Sequence, residues 1–360
     1  MKKFLLALAF VCALPMATMA QGVKFVDATD LAIYGYTKPT DKSPYYRFDH
    51  TPYKFNKSIV EHALKASGLY VAFKTNSTQV FASWEVTPHN VRDNMPFIMQ
   101  HGVDLYTKRD GKWSYVMAPR IPCKLEKASY KRLIVKDLPS EEREYLLYLP
   151  IWCELKDVKI GVDSDATIEG LKKPFRHKVI TFGSSITHGA SASRPGMTYT
   201  AKMSRNLGIE FVNFGFAGQC KMQTEFLDFL KGCEADAFLF DTFSNSSSKV
   251  IEDRLEPFIK GMKEAHPGKP LIFVQTAIPY SCCIEPKRYE QRKSRNETAR
   301  RMMSEMVKRY KDVYFLEVKD VVGEDGVIDS THPNDLGFHR FVKAYQPKIS
   351  KILKKYGIKG

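Results

Sequence analysis

The sequence lacks the features that define several common functional classes. It has seven cysteines in 360 residues, and no spacing between them resembles a zinc site. It contains no internal repeat and no low-complexity tract, and no nucleic-acid motif accompanies its basic residues. Beyond the N-terminus, no apolar run is long enough to span a bilayer. A zinc finger, a repeat protein and an integral membrane protein are therefore disfavoured, and nucleic acid is not expected as a partner.

The N-terminus has the pattern of a bacterial secretory signal. A lysine pair precedes an apolar run from Phe4 to Leu14, and Thr18-Met19-Ala20 is typical of a cleavage site. The apolar run is too short for a membrane anchor. We therefore expect removal of residues 1–20 and export of a mature chain, without stable membrane insertion, to the periplasm or the medium.

Cysteine usage and net charge do not by themselves indicate a function. A domain of this size has its own core and needs no disulfide, so the neighbours Cys282 and Cys283 are expected to be buried free thiols rather than a strained pair. Lys and Arg number 55 against 40 Asp and Glu, a formal net charge of +15. Because the basic residues are spread out, a solvated basic surface is favoured over polyanion binding, and an acidic polysaccharide partner stays open.

The first half of the chain has the pattern of short strands. Every second residue from Val80 to Val86 is apolar, which is the period of a half-buried strand. Asp110-Gly111 lies between two strand candidates and is a strong signal for a hairpin turn. These patterns predict an antiparallel β-sandwich or jelly-roll-like domain over residues 21–172.

The second half alternates strand and helix patterns. Five strands are predicted: Val179–Phe182, Phe211–Phe216, Ala237–Phe243, Leu271–Thr276 and Val313–Val318. Such alternation is typical of a parallel sheet with helices on both faces. We therefore expect a three-layer α/β domain over residues 173–360, with its functional crevice at the carboxyl ends of the strands.

Candidate reactive groups stand where that crevice would be. Ser185 follows the first strand, Gly218 the second and Asn245 the third, and Asp329 and His332 precede the final helix. Activation of a serine requires a base and an acid that orients the base. Taken singly, each of these residues is better explained as a cap, a turn residue or chance spacing, except Ser185, for which capping and catalysis are equally good explanations. Their joint order at the expected strand ends favours catalysis.

This order of segments resembles the SGNH, or GDSL-type, serine esterase superfamily over about residues 175–356. The resemblance implies a flavodoxin-like fold with a five-stranded parallel sheet and needs no metal or organic cofactor. It also implies the roles of five residues: Ser185 as nucleophile, Asp329 and His332 as acid and base, and Ser185, Gly218 and Asn245 as oxyanion donors.

The resemblance extends into the first half and has two departures. Gly102-Val103-Asp104-Leu105-Tyr106 is similar to the signature of a β-sandwich that precedes the hydrolase domain in a bacterial subgroup. Ser184 stands where aspartate or asparagine is usual before the nucleophile. Phe243-Ser244-Asn245-Ser246 replaces the usual Gly-x-Asn-Asp.

The expected function is that of a secreted serine esterase that removes acetyl or other small acyl groups from an acylated saccharide. A lipase or lysophospholipase is the alternative within enzymes, and a catalytically idle glycan-binding protein is the alternative outside them. His188 and Arg194, close to the nucleophile in sequence, are further candidates for substrate contact, with packing or a surface role as the competing interpretation.

Overall fold

The computed structural model describes residues 22–123, 128–276, 284–318 and 321–360. The predicted signal segment and the Cys282–Cys283 pair lie outside these residues. Across the described ranges, no helix has the length and apolar character needed to cross a membrane.

The strands and helices follow in chain order. The strands are β1 (Val23–Asp27), β2 (Ala32–Tyr34), β3 (Tyr70–Thr75), β4 (Val80–Val86), β5 (Asp104–Arg109), β6 (Lys112–Met117), β7 (Ser129–Val135), β8 (Arg143–Tyr148), β9 (Leu155–Asp163), β10 (Ile168–Gly170), β11 (Lys178–Gly183), β12 (Glu210–Gly215), β13 (Ala237–Asp241), β14 (Leu271–Val274) and β15 (Val313–Leu316). The helices are α1 (Lys57–Ala63), α2 (Phe97–His101), α3 (Ser185–His188), α4 (Tyr199–Leu207), α5 (Thr224–Lys231), α6 (Ser248–Ala265), α7 (Pro286–Arg309) and α8 (Asp335–Lys355).

The first half folds as two antiparallel sheets, as the strand patterns predicted. One sheet has the order β1-β9-β4-β7, and the other has the order β10-β3-β8-β5-β6 with β2 also paired to β3. Trp84 and Val158 of the first sheet and Phe73 and Leu147 of the second share one buried core. The Asp110-Gly111 turn has positive φ at both residues, which a tight hairpin between β5 and β6 requires. The expected β-sandwich is confirmed.

The second half contains a parallel sheet of five strands in the order β12-β11-β13-β14-β15. Apolar side chains alternate between its two faces: Phe182 packs with α5, α6 and α7, whereas Val179 packs with α4 and α8. The predicted three-layer flavodoxin-like domain is confirmed. Because β11 has β12 on one side and β13 on the other, the strand order reverses at β11, and ligands bind outside the carboxyl ends of strands at such a point.

One segment of the first half packs directly on the parallel sheet. Phe48, between β2 and β3, contacts Phe229 with ring centroids 4.4 Å apart. The neighbouring Arg47 is fully buried and donates to the carbonyl oxygens of Asn213 and Gly215 at 3.3 and 2.9 Å. Burial lowers the pKa of Arg47 to about 9. The segment therefore covers edge strand β12 and ties the sandwich half to the carboxyl end of the parallel sheet.

Candidate active site

A tight turn between β11 and α3 presents Ser185. The Ser184 hydroxyl accepts a hydrogen bond from the backbone N–H of Ile186, so Ser184 is the N-cap and Ser185 is the first helical residue. A Cβ on Gly183 would collide with the Thr187 hydroxyl, so the turn requires glycine there. The capping function that the sequence left open for Ser185 thus belongs to Ser184, and the Ser185 hydroxyl is left for other partners.

One hydrogen bond joins Ser185 to the segment before α8, and a second joins His332 to Asp329 within that segment. The Nε2 atom of His332 lies 2.9 Å from the Ser185 hydroxyl oxygen. The Nδ1 atom of the same imidazole lies 2.7 Å from the Asp329 carboxylate. The three predicted side chains, which come from two segments of the chain, are therefore joined in the hydrogen-bonded series that nucleophile activation requires. We call this series, Ser185–His332–Asp329, the relay.

The segment that carries Asp329 and His332 is a closed loop. An isolated antiparallel bridge joins Val327 to Pro333, and the Ile328 N–H donates to the His332 carbonyl at 3.0 Å. Within the loop, the backbone N–H of His332 donates to the Asp329 carboxylate at 2.8 Å. The Asp329-to-His332 spacing therefore closes a local turn that fixes the carboxylate and imidazole relative to each other.

Asn94, which the sequence did not single out, also binds the Asp329 carboxylate. Its side-chain amide donates to Oδ2 of Asp329 at 2.6 Å, and its carbonyl oxygen accepts from the Ser191 hydroxyl at 2.9 Å. The buried Gln100 side chain holds the same loop through the backbone of Arg92 and Met95. The sandwich half therefore contributes a residue to the site.

The charge state of Asp329 follows from these contacts. Partial burial alone would raise the pKa of the Asp329 carboxyl. The hydrogen bonds from the backbone and imidazole of His332 and from Asn94 outweigh burial and hold that pKa below its usual value. Asp329 is thus an ionised acceptor that can stabilise a charged imidazole.

The two remaining oxyanion candidates lie on the loops that follow β12 and β13. Gly218 is exposed in a turn with φ of 71°, and this turn is anchored next to the nucleophile because the Phe216 N–H donates to the Gly183 carbonyl at 2.8 Å. Asn245 is half-buried, and its Oδ1 atom has no hydrogen-bond partner among the described residues. Donation by Gly218 and by the Asn245 amide N–H to an oxyanion stays a prediction.

His188 and Arg194 have other contacts than those expected of them. The His188 ring is fully buried, lies 4.4 Å from the Trp152 ring and has Nε2 3.1 Å from the Ile151 carbonyl oxygen. Burial holds its pKa well below the usual value. The packing interpretation therefore replaces substrate contact for His188, because its ring does not reach solvent.

Arg194 binds a carboxylate of the protein itself. Its guanidinium pairs with the fully buried Asp104 and donates to the Tyr106 hydroxyl at 2.6 Å. Asp104 also accepts from the Gly196 N–H at 2.9 Å. Asp104 and Tyr106 belong to the Gly-x-Asp-Leu-Tyr signature, so this signature connects the sandwich to the loop after the nucleophile. The pairing gives the partly buried Arg194 a structural role, and substrate contact by Arg194 stays a prediction.

A cavity of about 1130 Å³ opens beside the relay. Asn245 and Asp329 form its border with the catalytic segments, and every other lining residue in the described ranges is polar or charged. Five of these carry a positive charge: Lys249, Lys287, Arg288, Arg292 and Arg295. We call this cavity the basic pocket. In the described part of the chain, no group of three or more His, Cys, Asp or Glu side chains is placed to hold a metal ion.

Fold and site together define a class. A serine, histidine and aspartate joined at the carboxyl edge of a five-stranded parallel sheet are the arrangement of an α/β serine hydrolase. Residues 176–350 match the GDSL-like lipase/acylhydrolase family, and residues 23–168 match the N-terminus of SGNH hydrolase-type esterases. A protein from Bacteroides ovatus that is described as a GDSL-like lipase has 38% identity, with 92% of this chain and 98% of that chain covered and a TM-score of 0.87. The chain belongs to the GDSL-like lipase/acylhydrolase family and is an SGNH-type esterase.

Two more distant structures share the two-part architecture. A salicylyl-acyltransferase from a tetracycline biosynthetic pathway has 19% identity, with 92% of this chain and 97% of that chain covered and a TM-score of 0.71. A family two carbohydrate esterase from Cellvibrio japonicus has 10% identity, with 93% and 99% covered and a TM-score of 0.59. Both are similar in fold. None of the curated proteins matches the chain.

Proposed function

We propose that this esterase is exported and removes acetyl or other small acyl groups from carbohydrate through an acyl-enzyme on Ser185. The observation that carries the proposal is the unbroken relay from the Ser185 hydroxyl through the His332 imidazole to the Asp329 carboxylate, with links of 2.9 and 2.7 Å.

The relay supports a two-step acyl transfer. Ser185 Oγ attacks the ester carbonyl carbon while His332 Nε2 takes the hydroxyl proton. Asp329 holds the Nδ1–H tautomer and stabilises the imidazolium. As the tetrahedral adduct collapses, the carbon–oxygen bond to the alcohol breaks, and His332 returns the proton to the leaving alkoxide. Water then attacks the acyl-enzyme, with His332 as its base, and releases the acid and free Ser185.

Three groups are proposed to stabilise the oxyanion of the adduct. They are the backbone N–H groups of Ser185 and Gly218 and the side-chain amide of Asn245. Hydrogen bonds aimed at developing negative charge form part of the largest single contribution in acyl-transfer enzymes, and loss of one donor costs about a hundredfold or more in rate. Asn245 lies half-buried and lines the same cavity as Asp329, which supports its place in this set.

The cavity beside the relay supports a polar substrate rather than a lipid. A long acyl chain needs an apolar tunnel, whereas the described lining of the basic pocket contains only polar and charged side chains. Saccharides bind through such groups. The fold shared with a protein described as a carbohydrate esterase is compatible with this choice of substrate.

The assembled relay also weighs against the catalytically idle alternative. Replacement of the usual residue before the nucleophile by Ser184 leaves the helix cap intact. The replacement at Phe243 places an aromatic ring in the buried core, and the side chain of Asn245 stays half-buried next to the basic pocket. Both departures from the family pattern are therefore accommodated without disrupting the relay.

Acetate release tests the substrate class. Purified protein is incubated with acetylated xylan and, in parallel, with a long-chain triglyceride emulsion, and free acetate and fatty acid are measured. We expect acetate release and no fatty-acid release. Fatty-acid release without acetate would overturn the carbohydrate assignment. Export is tested separately by N-terminal sequencing of the protein from the native host, for which a start at Gln21 is expected and an intact Met1 would contradict secretion.

A further inference from the structure

The basic pocket has more positive charge than its surroundings neutralise. Five cationic side chains line it, against two carboxylates, Glu290 and Asp329. Asp329 is engaged by His332 and Asn94 within the catalytic relay. Glu290 lies 4.0 Å from Lys293, which is outside the pocket. Neither lining carboxylate is thus placed to neutralise the pocket cations.

The cations themselves have few acidic partners. Lys249 pairs with Asp253 at 3.1 Å and Arg288 with Glu285 at 3.3 Å, both at exposed positions. Among the described residues, no carboxylate lies within ion-pair distance of Lys287, Arg292 or Arg295, although Arg295 has a longer-range attraction to the buried Asp241. Clustered like charges repel and raise the local potential, so this arrangement is unfavourable unless a negatively charged group enters.

Two of the arginines connect the pocket to the catalytic segments. Arg292 donates to the Ser330 carbonyl at 3.0 Å and to the Thr331 hydroxyl at 2.8 Å, between Asp329 and His332. Arg295 donates to the Ser244 carbonyl at 2.7 Å, next to Asn245. An anion in the pocket would therefore lie against both the segment that carries Asp329 and the proposed oxyanion loop.

From this geometry we infer that the basic pocket binds an acidic group carried by the saccharide, so that the preferred substrate is an acylated anionic glycan. The shared chemistry is a sugar-borne oxyanion, either the carboxylate of a uronic acid or a sulfate. Guanidinium groups match the geometry of both. The inference deepens the proposed function and rests on it.

Three substrates from one oligosaccharide backbone test the inference. The first substrate is acetylated oligogalacturonate, which carries carboxylates. The second is acetylated after its carboxyl groups are reduced, so it is neutral. The third is reduced, sulfated and then acetylated, so it carries sulfates. The value of kcat/KM for acetate release is measured at low and high salt. We expect at least a tenfold preference for an anionic form at low ionic strength. It should shrink severalfold near 1 M salt, where the Debye length falls to about 3 Å.

Variants that remove positive charge test whether the preference for an anionic substrate arises in the basic pocket. Lys287→Gln combined with Arg288→Gln should reduce the preference by about fivefold, mainly through KM, because each exposed charge pair contributes only modestly to binding. Lys231→Gln combined with Lys269→Gln removes the same charge at the amino ends of the strands and should leave all three rates unchanged. Thermal midpoints of both double variants verify that they fold.

The outcomes separate the two claims. Preference for the carboxylate form assigns a uronic acid, and preference for the sulfated form assigns a sulfated glycan. Equal rates on the charged and neutral forms, with hydrolysis still dependent on Ser185, would overturn the pocket inference and leave the esterase intact. Equal loss of preference in both double variants would attribute it to overall charge and likewise overturn the pocket. Absence of hydrolysis of every ester would overturn the proposed function itself.

Discussion

The side-chain amide of Asn94 donates to the carboxylate of Asp329 at 2.6 Å, across 235 positions of sequence. Asn94 lies on the loop after β4 of the sandwich, whereas Asp329 precedes the last helix of the α/β half. The relay is therefore completed by a residue from outside the parallel-sheet domain. This contact gives the sandwich half a direct part in setting the charge state of the site, in addition to its packing on β12.

Replacement of Asn94 by alanine tests this contact. Asp329 would lose one of the donors that hold its pKa down, so its pKa should rise and the acidic limb of the kcat profile should move to higher pH. Because a single hydrogen bond to a charged group contributes about 1.5–3 kcal/mol, kcat should fall by roughly tenfold or more. The matched control is Asp93→Ala, an exposed neighbour on the same loop, which should leave the profile in place. An unchanged profile in Asn94→Ala would show that Asn94 is only a loop residue.

Asn245→Ala addresses the oxyanion donors. We expect kcat to fall by about a hundredfold with little change in KM, because the lost hydrogen bond forms mainly in the transition state. The exposed Asn206, whose side-chain amide donates to Gln346 of α8, offers the control substitution Asn206→Ala. A fall in kcat that is accompanied by a clear loss of thermal stability in Asn245→Ala would instead indicate that the Asn245 amide has a structural role.

The pair formed by Arg194 and Asp104 predicts a stability effect rather than a binding effect. Removal of Arg194 by alanine leaves a fully buried carboxylate without its main partner and should lower the free energy of unfolding by about 3 kcal/mol. The double variant Arg194→Ala/Asp104→Asn should lose less, since no unpaired charge stays buried. Urea unfolding of the two variants measures the difference. A larger loss in the double variant would contradict this account.

Asp241, at the end of β13, predicts a pH dependence of stability. Burial raises its pKa to about 6, against the opposing hydrogen bond from Thr187. A carboxyl whose pKa is higher in the folded state stabilises that state fully below pH 3.8, and this contribution is lost as pH rises through 6. At pH 7 the loss amounts to about 3 kcal/mol. Asp241→Asn should therefore gain stability relative to the wild type between pH 4 and 7 in urea unfolding. A constant difference across that range would contradict the raised pKa.

The sequence was sufficient to predict the catalytic residues, because each lies in a short segment with a recognisable local pattern. Ser185 stands at a strand-to-helix turn whose small residues are visible in the sequence, and Asp329 and His332 lie in one short segment. The exact ends of the strands could not be predicted, because pairing with neighbouring strands decides them. The sequence predicted a strand over Leu271–Thr276, whereas the strand in the structure ends at Val274.

The contacts that depend on the relative placement of the two halves could not be predicted. Asn94 has no local pattern, since its partner is supplied by a distant segment. For His188 and Arg194 the sequence left substrate contact and packing open, because nearness to Ser185 in sequence does not tell which way a side chain faces. Their partners, Trp152 and Asp104, both come from the sandwich half.

The central claim is that Ser185 is the nucleophile of an esterase, and hydrolysis of p-nitrophenyl acetate by wild type and Ser185→Ala tests it most directly. Loss of the nucleophile should lower the rate by at least a thousandfold while the thermal midpoint changes little, because the helix cap is Ser184. Acetyl transfer to Ser185, detected by mass spectrometry of the acid-quenched wild type, should disappear in the variant. Turnover that survives in Ser185→Ala would contradict the mechanism proposed here.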